Sequence, residues 1–192
     1  MAVGASAGGH RALRTVISRL PADYPLPLLV VQHLHSGDEG GFARGLEHVS
    51  ALSVVTPCDK QSIEAGRIYV APANYHMLIE WDRSIALSTD PRVKWSRPSI
   101  DVLFDSAARV YRESLAAVIL TGANDDGAEG MQAIRDVGGM TIAQDPGTAE
   151  SPRMPQAAID AAAIDSVLSL EGIAELLLGL GMGSTAKGRG TE

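Results

Sequence analysis

Three short stretches carry residue types that can do chemistry together: Gly4-Ala5-Ser6-Ala7-Gly8, the histidine closing LPLLVVQH at position 33, and the acidic pair Asp125-Asp126 within GANDDGAEG. A serine hydroxyl becomes a useful nucleophile only when a base takes its proton and a further group orients that base. The G-x-S-x-G pattern suits a sharp strand-to-helix turn that exposes the hydroxyl and leaves the following backbone N–H groups at a helix N-terminus, facing a developing oxyanion. The same residues also suit a serine that merely caps a helix among packing glycines. The motif by itself does not separate the two.

Two phosphate-binding readings of the same glycines fail on the residues that would carry the chemistry. Gly4 and Gly9 have P-loop spacing, but His10 and Arg11 stand where the lysine and the magnesium-binding hydroxyl belong. A dinucleotide fingerprint needs glycine where Ser6 stands, and the second strand ends in Gln32 and His33 instead of an acidic ribose ligand.

Among the five histidines, His33 follows the most apolar strand pattern, where a parallel sheet presents its functional edge; His35, two residues on, is the alternative. His10, His48 and His76 fall on helix or hairpin positions that favour structural roles. Asp125 and Asp126 follow the apolar run LAAVILT, where a carboxylate either caps the next helix or orients an imidazole.

These residues need a scaffold that brings strand ends together. LPLLVVQ (26–32), LAAVILT (115–121) and MTIAQ (140–144) are continuous apolar runs, as expected for strands buried on both faces. Helical spacing separates them: Leu13, Val16, Ile17 and Leu20; Ile100, Leu103, Phe104 and Ala107, with Ser99 as N-cap; Ala128, Met131, Ile134 and Val137; and Ile173, Leu176, Leu177 and Leu180. The alternation predicts an α/β fold, a doubly wound, mainly parallel sheet flanked by helices. RIYVAP, HMLIEW and SIALST follow one another without a helix, predicting an antiparallel hairpin insert around residues 67–89, although Asp82-Arg83 is an unfavoured hairpin pair. Residues 1–180 are expected to form one catalytic domain, and 181–192, without apolar periodicity, an irregular tail.

A chain of 192 residues with a formal charge of −7 has no surplus of basic residues for nucleic acid. The single Cys58 permits no internal disulfide, no apolar stretch is long enough for membrane insertion, and no secretory signal opens the chain. A cytoplasmic location is expected, with no metal or organic cofactor.

The ordered segments GASAGG, VVQHLHSG, RPSIDVLFDSAARVY, ILTGANDDGAEGM, GGMTIAQDP and MPQAAI resemble the catalytic domain of the chemotaxis receptor methylesterases, the CheB family. The resemblance implies hydrolysis of glutamyl methyl esters on the cytoplasmic helices of chemoreceptors, with release of methanol, and deamidation of particular glutamines. It places the nucleophile on Ser6, the base on His33 and, through a gapless match to the family's aspartate loop, the orienting carboxylate on Asp126. It also assigns an oxyanion donor to the backbone amide of Ala123. Ala7, Ala123 and Asn124 depart from the family pattern. The family's phosphorylatable receiver domain has no counterpart in this chain, so either the enzyme stands alone or a receiver domain or other regulatory partner lies outside it. A receptor-docking module with little turnover is the alternative function. Arg92, Lys94 and Arg97 around Trp95, with Arg11 and Arg14, are the candidate basic surface for an acidic substrate helix.

Overall fold

A strand without a polar face must be covered on both sides. A computed structural model describes the backbone of residues 1–187 and the side chains of residues 1–183. In chain order it contains β1 (Ala2–Ala5), α1 (Gly9–Ile17), β2 (Leu28–Gln32), α2 (Gly41–Glu47), β3 (Ser53–Val55), β4 (Gln61–Ser62), β5 (Arg67–Val70), β6 (His76–Ile79) and β7 (Ser84–Ser88). There follow α3 (Ile100–Tyr111), β8 (Ala116–Ile119), α4 (Ala128–Asp136), β9 (Met140–Gln144), α5 (Arg153–Ala161), β10 (Ser166–Leu168) and α6 (Leu170–Lys187).

Seven strands form one sheet in the order β10-β9-β8-β1-β2-β5-β3, every neighbouring pair parallel. Alternate residues feed two cores. Val3, Ala5, Val30 and Val118 pack with Leu13, Ile17, Leu46, Ile173 and Leu177 from α1, α2 and α6. Ala2, Leu29, Val31 and Ile119 pack with Ile100, Phe104, Met131 and Ala158 from α3, α4 and α5. The expected doubly wound α/β architecture is therefore the one the chain adopts, with β1 central and the functional strand ends beside it.

The insert differs in detail. β6 and β7 form the hairpin, antiparallel, with β4 added at the edge, but RIYV joins the main sheet as β5, parallel to β2 and β3. Its pattern explains this: Ile68, Tyr69 and Val70 are all buried, so the strand has no solvent face to spare. The hairpin turn avoids the unfavoured two-residue geometry by using Trp81, Asp82 and Arg83, with Arg83 at φ 65° and Glu80 bonded to Ser84. At the other end α6 continues through Lys187, so residues 181–187 of the expected tail are helical. Gly181 sits where a Cβ would lie 2.5 Å from Tyr24, so α6 packs closely on Tyr24 beyond the point where apolar spacing stops. Residues 188–192 lie outside the described residues. Among the described residues no helix is long and apolar enough to cross a membrane.

The α3–α4 contact sets the acidic loop that precedes α4 against the start of α3, and it depends on Gly130. A Cβ there would stand 2.5 Å from Phe104 Cβ and 3.3 Å from Asp101 Cα. Gly130→Ala gains about 1 kcal/mol in helix propensity and loses about 1–3 kcal/mol to overpacking. A net loss of roughly 1 kcal/mol in urea unfolding is expected, and a stabilised variant would refute this account of the contact.

Candidate active site

The site forms where three adjacent strands end. Ser6 follows β1, and its N–H donates to Thr121 O at 2.9 Å; His33 follows β2, and its N–H donates to Ala5 O at 3.1 Å. The strand β8 leads through Thr121 and Gly122 into the loop carrying Ala123 to Asp126. The pairing of β8, β1 and β2 thus brings together residues separated by 27 and 93 positions in the chain.

Ser6 Oγ lies 3.1 Å from His33 Nδ1, and His33 Nε2 lies 2.7 Å from Asp126 Oδ2. A carboxylate accepts, so Nε2 carries the proton and the Nδ1 lone pair faces the serine hydroxyl. The ring is reversed relative to the familiar serine-protease triad, in which Nε2 faces the nucleophile. Ser6 is not a helix cap: α1 begins after Gly8, which makes no side-chain cap bond, and the Ser6 hydroxyl is engaged with the imidazole. This decides the ambiguity of the glycine motif. Gly8 adopts φ 78°, a left-handed conformation that favours glycine. At Gly4 a Cβ would stand 2.4 Å from Ile100 Cγ2, so the missing side chain lets the start of α3 lie over β1.

That approach supplies the carboxylate with its environment. Asp126 is fully buried. Its Oδ1 accepts from Ser99 Oγ at 2.8 Å and Asp101 N at 3.1 Å, and its Oδ2 accepts from Ile100 N at 2.8 Å besides His33. Burial pushes its pKa up, but the bonds from His33 and from the Ile100 and Asp101 amides outweigh this and hold it below the ordinary carboxylate range. Asp125 is exposed and contributes only its carbonyl, which accepts from Lys94 Nζ at 3.1 Å. Of the two aspartates left open by strand position, the structure brings Asp126 to the histidine.

Several residues that the sequence reading passed over hold this arrangement. Gln32 Nε2 donates to the carbonyls of Ser6 at 2.9 Å and His33 at 3.1 Å, tying the serine and the histidine to one amide. Thr121 Oγ1 donates to Ala7 O at 2.9 Å and accepts from Ser151 N at 2.8 Å. Buried His76 accepts from Ser99 N at 3.2 Å on Nδ1 and meets Pro91 O at 3.1 Å on Nε2. Ser96 Oγ stands 3.3 Å from His33 Nδ1, a second hydroxyl on the imidazole. Asp101 accepts from Gly130 N at 2.8 Å on Oδ1 and pairs with Lys94 Nζ at 3.0 Å on Oδ2; burial and the neighbouring Asp126 push its pKa up.

The other candidates separate from the centre. His35 accepts from Gly37 N in an exposed turn, and His48 sits on an exposed helix end against Arg44 O. Ala123 lies exposed in the loop between Gly122 and Asp126, beside Ser151, Pro152 and Arg153. The basic cluster divides: Lys94 is paired with Asp101 and Glu129, Arg97 Nη1 donates to Thr89 O and Asp90 O, and Arg14 Nη1 donates to Gly45 O. Arg11 and Arg92 remain exposed. Among the described residues no cluster of three or more His, Cys, Asp or Glu is placed to hold a metal ion.

Comparison with known proteins gives a consistent setting. The family model for the CheB methylesterase matches residues 1–177. A Leptospira interrogans protein, provisionally named as a protein-glutamate methylesterase/protein-glutamine glutaminase, is 47% identical over 178 residues, covering 93% of this chain and 92% of its own. The Symbiobacterium thermophilum protein-glutamate methylesterase/protein-glutamine glutaminase is 42% identical over 91% of this chain, which spans 48% of that relative. The crystal structure of the Thermotoga maritima CheB methylesterase catalytic domain superposes with a TM-score of 0.89 at 33% identity, covering 93% of this chain and 96% of that one.

A hydroxyl facing a free imidazole lone pair should react with a fluorophosphonate. Mass spectrometry is expected to place a single adduct on Ser6, absent in Ser6→Ala and formed far more slowly in Asp126→Asn; an equal rate in Asp126→Asn would remove the carboxylate from the relay. Because its folded pKa is depressed, Asp126 contributes stability that is present above the unfolded value of about 3.9 and lost as pH falls through the lower folded value. Acid unfolding of Asp126→Asn should accordingly show a shallower pH dependence below about pH 4.

Proposed function

The chain belongs to the CheB methylesterase family, and on that premise we propose that Ser6, His33 and Asp126 carry out protein-glutamate methyl ester hydrolysis. The observation that supports these roles is the unbroken relay from Ser6 Oγ through both nitrogens of His33 to Asp126, at 3.1 and 2.7 Å.

In this reading Ser6 Oγ attacks the ester carbonyl as its proton passes to His33 Nδ1. The imidazolium then has two N–H donors, one held by Asp126 and the other directed at the leaving oxygen. Protonation of that oxygen releases methanol and leaves an acyl-serine. Water, deprotonated by Nδ1, attacks the acyl carbon, and the proton returns to Ser6 Oγ as the glutamate carboxylate departs. A glutamine side chain follows the same sequence with ammonia as the leaving group. The negative oxygen of each tetrahedral intermediate is assigned to the backbone amide of Ala123, which makes no hydrogen bond of its own among the described residues. Ala123 departs from the family pattern in its side chain, and a backbone donor does not depend on that side chain.

The substrate proposed is a methylated helix of a chemoreceptor, which sets the enzyme in the cytoplasm, with residues 1–180 as the catalytic unit and control supplied by a receiver domain or other partner outside this chain. The intact relay favours turnover over a docking-only role.

Methanol release from a methylated receptor fragment tests the assignment. Ser6→Ala should abolish it, Asp126→Asn should lower turnover by about 10⁴-fold, and Asp125→Asn should stay within a few-fold of wild type. Receptor binding without any methanol release would favour the docking module, and a severe Asp125→Asn beside a mild Asp126→Asn would reassign the carboxylate.

A further inference from the structure

The loop after β7 ends in a tight turn whose sequence is poorly suited to it. Val93 and Ser96 exchange both backbone hydrogen bonds, at 3.1 and 2.8 Å, around Lys94 and Trp95, whose φ angles are 46° and 68°. A two-residue turn with positive φ at both centres is normally made by Asn-Gly or similar pairs; here a lysine and a tryptophan occupy both left-handed positions. Backbone outliers of this kind persist where the surroundings over-determine them, and they point to function.

The surroundings do over-determine this one. Lys94 Nζ reaches Asp101 Oδ2 at 3.0 Å, Asp125 O at 3.1 Å and Glu129 Oε1 at 3.2 Å. His76 Nε2 meets Pro91 O, Arg97 Nη1 donates to Thr89 O and Asp90 O, and Arg92 Nη1 donates to Trp95 O. Ser96 touches the catalytic base at 3.3 Å. The result of all this fixing is an indole that is 92% exposed, one residue from a group in contact with His33 Nδ1.

An exposed indole on a rigid turn offers a large contact area at the cost of only two side-chain torsions. The net charge of −7 gives no long-range attraction for an acidic helix, Lys94 is spent on Asp101, Asp125 and Glu129 and Arg97 on the loop itself, and what Trp95 adds beside the exposed Arg92 is short-range apolar contact. A helix delivering a side chain to Ser6 presents residues three and four positions away on the same face, about 5–6 Å along. We propose that Trp95 is a specificity-determining residue, seating its indole against apolar side chains that flank the methyl ester on the substrate helix, with Lys94 as the residue that positions the turn.

This inference rests on the methylesterase reading, and the test separates the two. Wild type and Trp95→Ala would be compared on a helical peptide carrying one glutamyl methyl ester with apolar neighbours and on a small activated acetate ester. The expected result is a selective loss: kcat/KM for the helix falls about tenfold relative to that for the small ester, mainly through KM, with Trp95→Phe recovering most of it. Equal effects on both substrates, or none on the helix, would overturn the proposal. Binding is read independently in Ser6→Ala/Trp81→Phe, whose remaining indole is Trp95: the helical peptide should shift its emission to the blue, and an unchanged spectrum at saturating peptide counts against docking. A blue shift alongside a wild-type enzyme that hydrolyses neither ester would sink the esterase reading and leave the docking inference standing.

Discussion

A carboxylate taken out of water is destabilised unless hydrogen bonds replace its hydration, and Asp126 is the place where this chain meets that demand in full. Four donors from two parts of the molecule converge on its two oxygens: the imidazole of His33, the hydroxyl of Ser99, and the first amides of α3. The last two are among the amides that a helix leaves unpaired at its N-terminus, where the helix dipole also favours negative charge. The fold is arranged to permit this meeting. Gly4 leaves room for Ile100, Gly130 lets α4 lie close on α3, and His76 holds the Ser99 amide.

The parallel sheet accounts for the orientation of the base. His33 continues from β2, the hydrogen-bonded neighbour of β1, so its near nitrogen already lies within reach of Ser6. The far nitrogen then extends toward α3, where Asp126 waits. A ring turned the other way would aim its longer arm at a serine on the adjacent strand. Gln32 adds a clamp on both backbone carbonyls, so Ser6 and His33 share one anchor.

That Ser6, His33 and an aspartate at 125 or 126 share one edge of the sheet was legible in the sequence because each follows an apolar strand pattern, whereas the choice of Asp126 over Asp125 came only from the family resemblance. The parallel core was equally legible, since unbroken apolar runs admit few other uses. What could not be read were roles that arise between segments distant in the chain. Lys94, Arg97 and Arg92 form a basic run next to a tryptophan, which from sequence is indistinguishable from an anion-facing patch; their partners Asp101, Glu129, Thr89 and Asp90 appear only when the loop is folded. His76 looked like an ordinary strand residue because its partner is a backbone amide 23 positions away. RIYV lies next to the hairpin in the sequence and is easily read with it, although its lack of alternation marks it as a strand covered on both sides.

The donors around Asp126 have a consequence beyond the reaction. The serine hydroxyl touches only the His33 imidazole among the described residues, whereas the carboxylate also closes the first turn of a central helix. Loss of the Ser6 hydroxyl would leave the architecture standing, while loss of Asp126 would strand several buried donors at once. Were the chain released from any need to turn over substrate, folding alone would still preserve the acid, and the hydroxyl would be the part free to drift.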